Sequence, residues 1–270
     1  MKQSRREEGD DDVSVGKEEE EAGYCSSSSI SRLPEACLAH AISFTTPTDA
    51  CRCSAVSADF QAAASSNAVW ERFLPPDYHS ILARADDPVD FTTSNKELFL
   101  SLAQDHVLLD QRSKSFWLER TSGAKCYLLS SRSLEIAWGD DARYWRWIYL
   151  PDSRFASQTE LSPNTRYIVY LIFKLADKSY GLDCRTQEAY ITMDDQVVSA
   201  KRTSEEVGRA EETVSYPRER GDGWMEVQLG HFYNHQGDGM VVINLQEIVQ
   251  LNSKKGLILE GMEIRHSIGP

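Results

Sequence analysis

The sequence predicts an α+β fold: a small N-terminal helical module followed by a mostly antiparallel β-sandwich of jelly-roll type. Three observations predict it. Between residues 32 and 78, apolar positions recur at helical spacing and are broken by proline turns. From residue 116 onward, short apolar runs of strand length alternate with Gly, Asp, Asn and Ser turn residues. No long amphipathic helix interrupts that second stretch.

Composition bounds the function. The chain has 270 residues, 42 acidic and 29 basic side chains, and a formal net charge of −13. At roughly 100–200 residues per domain this length suggests about two domains. With 41% hydrophobic and 10% aromatic residues the chain can bury a proper core. The acidic excess argues against non-specific nucleic-acid binding, which needs a Lys/Arg surface. No apolar span approaches the roughly 18 residues of a membrane helix; the longest, Tyr167–Phe173, has seven. The first 25 residues hold no apolar stretch of the kind a secretory signal needs. The six cysteines form no CxxC pair. They read as reduced thiols of a cytoplasmic and/or nuclear protein, with neither a structural metal nor a cofactor expected.

The elements follow in order. Residues 1–31 carry nine acidic and four basic side chains and then a serine run, which reads as a disordered acidic tail. Residues 32–78 form the helical module. Leu33-Pro34 opens its first helix, with proline where a missing N–H costs nothing. Leu38 and Ile42 lie four apart on one face. Thr48 is the expected cap of the second helix, which carries Ala50, Cys51, Cys53, Ala55 and Val56. A third helix is expected over Asp59–Ser65. Asn67 is the expected cap of a last one, which holds Val69, Trp70 and Phe73 and stops at Leu74-Pro75-Pro76.

This module resembles the F-box. The residues that carry the resemblance are LPEACLAHAISF, TPTDACRCSAVSADF and AVWERFLP. The resemblance implies docking onto the Skp-type adaptor of a cullin ubiquitin ligase. Carried over by position, Leu33, Pro34, Leu38, Ile42, Val56 and Trp70 would form or support the adaptor-facing surface. Filling the module's own core is the competing role for each. A module this short cannot bury all its apolar surface, and what is left over marks a partner.

Residues 79–115 read as a connector. Ser94-Asn95-Lys96-Glu97 fits a capping box and predicts a helix over about 95–105. From 116 to 270 strand signals dominate. Phe116–Glu119 and Lys125–Leu129 flank Ser122-Gly123 as a hairpin. Leu134–Trp138 alternates with period two, and Tyr167–Leu175 is a continuous run suited to a central strand. Ala189–Met193, Trp224–Leu229, Met240–Leu245 and Leu257–Ile264 complete the set. The charged stretch 194–220 reads as a long surface loop.

The segment LEIAWGDDARYWRWIYLPDSRF packs Trp138, Trp145 and Trp147 beside Tyr144 and Tyr149. Indole rings cover the C–H face of a sugar while polar neighbours bond its hydroxyl rim. The whole region resembles the plant phloem protein 2 family, whose lectin members include Nictaba-like proteins. The match is carried by FWLERTSGAKCYLLSSRSLEIAWGDDARYWRWIYLPDSRF, LSPNTRYIVYLIFKLADKSYGLD, GDGWMEVQLGHFYN and GLILEGMEIRH. The resemblance implies a lectin-like jelly roll that binds N-acetylglucosamine oligomers or N-glycan cores without catalysis. Trp138, Trp145 and Glu247 match the family's carbohydrate-binding positions. Two departures lower the expected affinity. Only Ala156–Glu160 stands where the family carries a longer insert, and Met240 stands where lectin members carry a glutamate.

Other chemistry is weakly signalled. His231 and His235 have ligand-like spacing but sit in a turn region, and the adjacent Asp140 and Asp141 do not converge on one bond. The function expected is the substrate-recognition subunit of a Skp–cullin–F-box ligase whose second domain binds glycans. The alternative is a stand-alone nucleocytoplasmic carbohydrate-binding protein with a vestigial F-box. A glycoside hydrolase would need two carboxylates flanking a cleft, which no spacing places.

Overall fold

The structure is a computed structural model that describes residue 30 and residues 33–89, 93–146, 160–182, 187–194, 196–202, 216–236, 241–247 and 254–267. The acidic tail, apart from Ile30, lies outside these residues, as do Trp147, Tyr149, the short segment at 156–159 and Met240.

Six helices come first among the described residues. They are α1 (Glu35–Ile42), α2 (Pro47–Cys53), α3 (Ala58–Ser65), α4 (Asn67–Phe73), α5 (Tyr78–Leu82) and α6 (Asn95–Gln104). Local chemistry sets their ends. Thr46, not Thr48, caps α2: its hydroxyl accepts from the Asp49 N–H at 3.1 Å, and Pro47 already occupies the first turn. Ala55 and Val56 lie past α2 in a turn whose N–H groups donate back to Arg52 and Cys53. Ser57 caps α3 through the Phe60 N–H. Asn67 does not cap α4. It is the first residue of that helix, and its side-chain oxygen accepts from the Asn95 N–H at 3.1 Å while the Asn95 amide donates to its carbonyl. The expected capping box stands at α6, where Ser94 and Glu97 bond each other's backbone N–H.

Ten strands follow: β1 (Val107–Leu109), β2 (Lys114–Leu118), β3 (Lys125–Ser130), β4 (Thr165–Tyr180), β5 (Gln187–Met193), β6 (Gln196–Arg202), β7 (Arg218–Glu219), β8 (Met225–Asn234), β9 (Val241–Glu247) and β10 (Lys255–His266). Among the described residues they pair antiparallel into a seven-stranded sheet, β1-β2-β3-β10-β4-β8-β7, and a three-stranded sheet, β6-β5-β9. β4 lies centrally, between β10 and β8. Its Tyr167, Val169, Leu171 and Phe173 join the main core, while Tyr170 and Ile172 join a second cluster with Leu128 and Trp224. A strand buried on both faces must be apolar at every position, which explains the unbroken run. The two sheets meet at Gly230, where a Cβ would stand 2.8 Å from the Ser199 hydroxyl and 2.9 Å from Ile191 Cδ1. Only a residue without a side chain permits that approach.

Two expectations for the strand region are overturned as well. Leu134–Trp138 is no strand: a 3-10 turn at Ser131–Ser133 ends β3, and a tight turn closed by the Gly139 N–H on the Ile136 carbonyl follows. Residues 194–220 are not one loop. Asp194, at φ 47°, turns the chain so that β6 pairs back on β5, and β7 pairs with β8.

The connector does more than span a gap, because β1 belongs to the sheet and Ala85 bridges to Leu109 beside it. The β1–β2 turn is unusual. Asp110, Gln111 and Arg112 all adopt left-handed φ values of 52°, 60° and 58°. Such conformations cost roughly 1–2 kcal/mol per residue. Specific bonds offset the cost. The Asp86 carboxylate accepts from the Gln111 and Arg112 N–H groups at 2.7 and 2.6 Å. Arg84 grips Asp110 through two nitrogens at 3.0 and 2.6 Å, and buried Lys114 adds a second cation at 3.0 Å. Arg84, and then Lys114, hold the Asp110 carboxyl down at about 2 against the effect of burial.

Helices and sheet share one hydrophobic core that runs from Leu38 to Ile264. Trp70 packs on Phe73 and Phe99 with ring centroids 5.5 and 5.3 Å apart, and its indole N–H donates to the Ala64 carbonyl at 2.7 Å. The β2–β3 turn seats directly on these rings. Gly123, at φ 74°, would place a Cβ 2.6 Å from the Phe73 carbonyl oxygen and 3.3 Å from the Phe99 ring. Buried Lys125 reaches Asp77, just before α5, at 2.7 Å.

Gly123→Ala is therefore expected to lower stability by about 1–3 kcal/mol in denaturant unfolding, through strain and displacement of α4; an unchanged midpoint would mean that the seat is loose. Asp110 has a folded pKa below its unfolded one. Its contribution is present above pH 3.8 and lost as pH falls toward about 2. Acid titration of unfolding should show that loss in the wild type and a shallower one in Asp110→Asn.

Candidate functional site

Two surfaces stand out from the residues upward. On the helical module, the six positions singled out in the sequence divide. Leu38, Ile42 and Trp70 are buried in the core, where they can only support a surface from beneath. Leu33, Pro34 and Val56 face outward, with Leu33 46% and Val56 67% exposed. Phe44, which sequence reasoning passed over, is 62% exposed. Its ring lies edge-on to His40 at 4.9 Å, and the Arg72 guanidinium sits 4.4 Å from its centroid. The signal was present: Leu38 and Ile42 define the buried face of α1, and a residue two beyond Ile42 falls off that face. An open groove of about 500 Å³ between α1 and α4 lies nearby, lined among others by Ala36, Ala39, His40, Ser43 and Arg72.

The second surface is the loop after β3. Trp138 is 70% exposed and, at φ 56°, takes a left-handed conformation that a bulky residue rarely adopts. Tyr144 is 61% exposed, and the two rings stand 5.4 Å apart at 32°. Trp145 is half-buried and donates its indole N–H to the Ala137 carbonyl at 3.2 Å. Asp141 organises the loop. Its carboxylate accepts from the Arg143 backbone N–H at 2.9 Å and from the guanidinium at 2.6–3.0 Å. The Arg143 side chain, then its backbone N–H, hold the Asp141 carboxyl below its ordinary value. Glu247 is the last residue of β9 and pairs through its backbone with Gln187; its side chain lies outside the described residues.

On the large sheet, buried charges pair with one another. On the Tyr170 face of the large sheet, Arg265 bonds Glu263 and, at 2.7 Å, Glu226; Arg220 bonds Glu263 at 2.6 Å. Burial alone would raise the Glu263 carboxyl, but the Arg265 and Arg220 cations bring it below the usual value. His231 and His235 are both exposed, and His235 lies edge-on to Tyr233. Among the described residues no group of three or more His, Cys, Asp or Glu could hold a metal, and no helix is long and apolar enough to cross a membrane.

Comparison with known proteins gives these surfaces a family. Residues 30–75 match the F-box-like family model, and residues 124–163 and 156–266 match that of phloem protein 2. The chain belongs to the phloem protein 2 family, in the class whose members carry an F-box ahead of that domain. In Arabidopsis thaliana it is similar to F-box protein PP2-B10, 40% identical over 261 residues that cover 88% of this chain and 94% of that protein. F-box protein PP2-B15 is 36% identical over 277 residues, covering 86% and 96%. F-box protein PP2-B1 is 35% identical over 314 residues, covering 91% and 92%. The phloem protein 2 match breaks into its two segments where the sequence carries its short stretch near 156–160.

Burial separates the roles of the module's apolar residues. Trp70→Ala should cost about 3–5 kcal/mol in unfolding free energy, whereas Phe44→Ser and Val56→Ser should stay within about 0.5 kcal/mol of wild type. Equal losses in the three variants would contradict the division.

Proposed function

We propose that this protein is the substrate-recognition subunit of a Skp–cullin–F-box ubiquitin ligase. The helical module docks on a Skp-type adaptor, and the β domain selects targets that bear N-acetylglucosamine oligomers or N-glycan cores. The observation that carries the reading is the exposure of Val56 and Phe44 on a module whose Leu38, Ile42, Val69, Trp70 and Phe73 are buried in the core. Exposed apolar side chains on an otherwise well-packed element mark a contact surface. Leu33 and Pro34, which by resemblance match the opening residues of the F-box, are exposed as well.

Such a protein catalyses by tethering. It supplies no reactive group and raises the local concentration of a target beside the ligase. Trp138 and Tyr144 suit the sugar half of this role, because exposed aromatic rings cover the apolar face of a pyranose at little entropic cost. We propose the cytoplasm and/or nucleus as its compartment, on the ground that Cys37, Cys51, Cys53 and Cys126 are free thiols.

Pull-down of the full chain on an immobilised Skp-type adaptor tests the reading. Wild type and Trp138→Ala are expected to be retained, and the joint replacement Leu33→Ala, Pro34→Ala to be lost. Normal retention of the double variant would overturn the receptor role. On a chitin-oligomer column weak retention is expected, and Trp138→Ala should abolish it.

A further inference from the structure

We infer that the ligand-facing surface of the loop after β3 is the Trp138–Tyr144 ring pair, and that Trp145 is a positioning residue that holds this pair without touching the ligand. The inference rests on the carbohydrate-binding half of the proposed function and changes which rings perform it. Sequence position alone assigns the two tryptophans the same role. Geometry separates them.

Three consecutive carbonyls before and at Trp138 each accept a hydrogen bond from within the loop. The Ile136 carbonyl accepts from the Gly139 N–H at 2.8 Å, the Ala137 carbonyl from the Trp145 indole at 3.2 Å, and the Trp138 carbonyl from the Asp141 N–H at 3.0 Å. The peptide planes on both sides of Trp138 are therefore fixed. A left-handed conformation in a bulky residue persists only where its surroundings over-determine it. The Trp145 indole supplies the one side-chain bond among these three. Its N–H is thus engaged inside the loop, and its ring is half-buried.

Asp141 ties the far side. Its carbonyl accepts from the Tyr144 N–H at 2.9 Å and the Trp145 N–H at 3.0 Å, so one residue sets the direction of both rings. Its carboxylate holds Arg143, whose guanidinium lies 5.6 Å from the Tyr144 centroid and backs that ring. Tyr144 and Trp138 both keep more than half of their surface open. Together they present adjacent aromatic surface for the C–H face of an N-acetylated pyranoside, and the Tyr144 hydroxyl can bond its hydroxyl rim. A surface organised before the ligand arrives loses less entropy on binding, which gives Trp145 and Asp141 an effect on affinity without contact.

The test is nuclear magnetic resonance on the full chain with chitotriose as probe. Sugar-to-ring Overhauser contacts are expected at Trp138 and Tyr144 and not at Trp145. The Trp145 indole proton should exchange with solvent more slowly than that of Trp138. Tyr144→Ala should weaken binding roughly three- to tenfold, while Tyr144→Phe should stay within about twofold. Trp145→Phe keeps a ring but removes the N–H. It should weaken binding and, without any sugar present, shift the Trp138 indole resonance while the thermal midpoint stays near wild type. Sugar contacts at the Trp145 ring would overturn the inference and leave the carbohydrate reading standing, as would wild-type affinity in Tyr144→Ala beside its loss in Trp138→Ala. Wild-type protein with no chitotriose-induced shift up to the solubility of the sugar would overturn both.

Discussion

The packing of Trp70 against Phe73 and Phe99, with Gly123 pressed onto the end of α4, is the constraint from which the rest of the structure follows. Four-turn helices are not stable by propensity alone, and α2 and α4 have only seven residues each. Their order comes from burial. The rings that bury α4 belong partly to α6, and the glycine that lets the sheet approach belongs to the β2–β3 turn. Polar links follow the same seam: Asn67 with Asn95, and Asp77 with Lys125. The second of these adds little net stability, yet loss of Asp77 would strand the buried Lys125 charge, so the pair enforces one arrangement over others.

Once the interior is committed in this way, the outward residues acquire meaning. Large apolar side chains at the surface of a helical module could reflect poor packing, but here the module's Leu38, Ile42, Val69 and Trp70 are buried. Trp138 stands out by the same contrast. Its backbone is strained and the Ile136, Ala137 and Trp138 carbonyls are bonded within the loop, so its exposure is an arranged feature and not a frayed end. Two surfaces of different character therefore share one chain. One is aliphatic and aromatic on helices, suited to a protein partner; the other is a pair of rings on a bonded loop, suited to a flat and partly polar ligand.

Much of the fold was legible in the residues. The capping box at Ser94–Glu97, the hairpin about Gly123 and the unbroken run of β4 each follow from local chemistry. The errors also have local causes. Leu134–Trp138 alternates like a strand, but its carbonyls are claimed by Gly139, Asp141 and Trp145, whose effect no period-two pattern displays. The strand β6 was hidden because QVVSAKR lies in a charged stretch and shows Val197 and Val198 to solvent. At the candidate site, residue types could be read but orientation could not. Alternation and helical spacing say which side chains share a face; they do not say that an indole N–H turns inward to a carbonyl eight positions earlier.

The left-handed turn at Asp110–Arg112 leaves the link between β1 and β2 without slack. One added residue would carry the Gln111 and Arg112 amides away from Asp86 and release three unfavourable dihedrals with nothing to hold them. An added residue is better accommodated at other joints. Gly221 is such a joint: a new side chain there meets open space. A reporter peptide grafted at that bend would ride on the rim of the sheet, whereas the same graft at Gln111 would unpick the clasp that fastens the helical half to it.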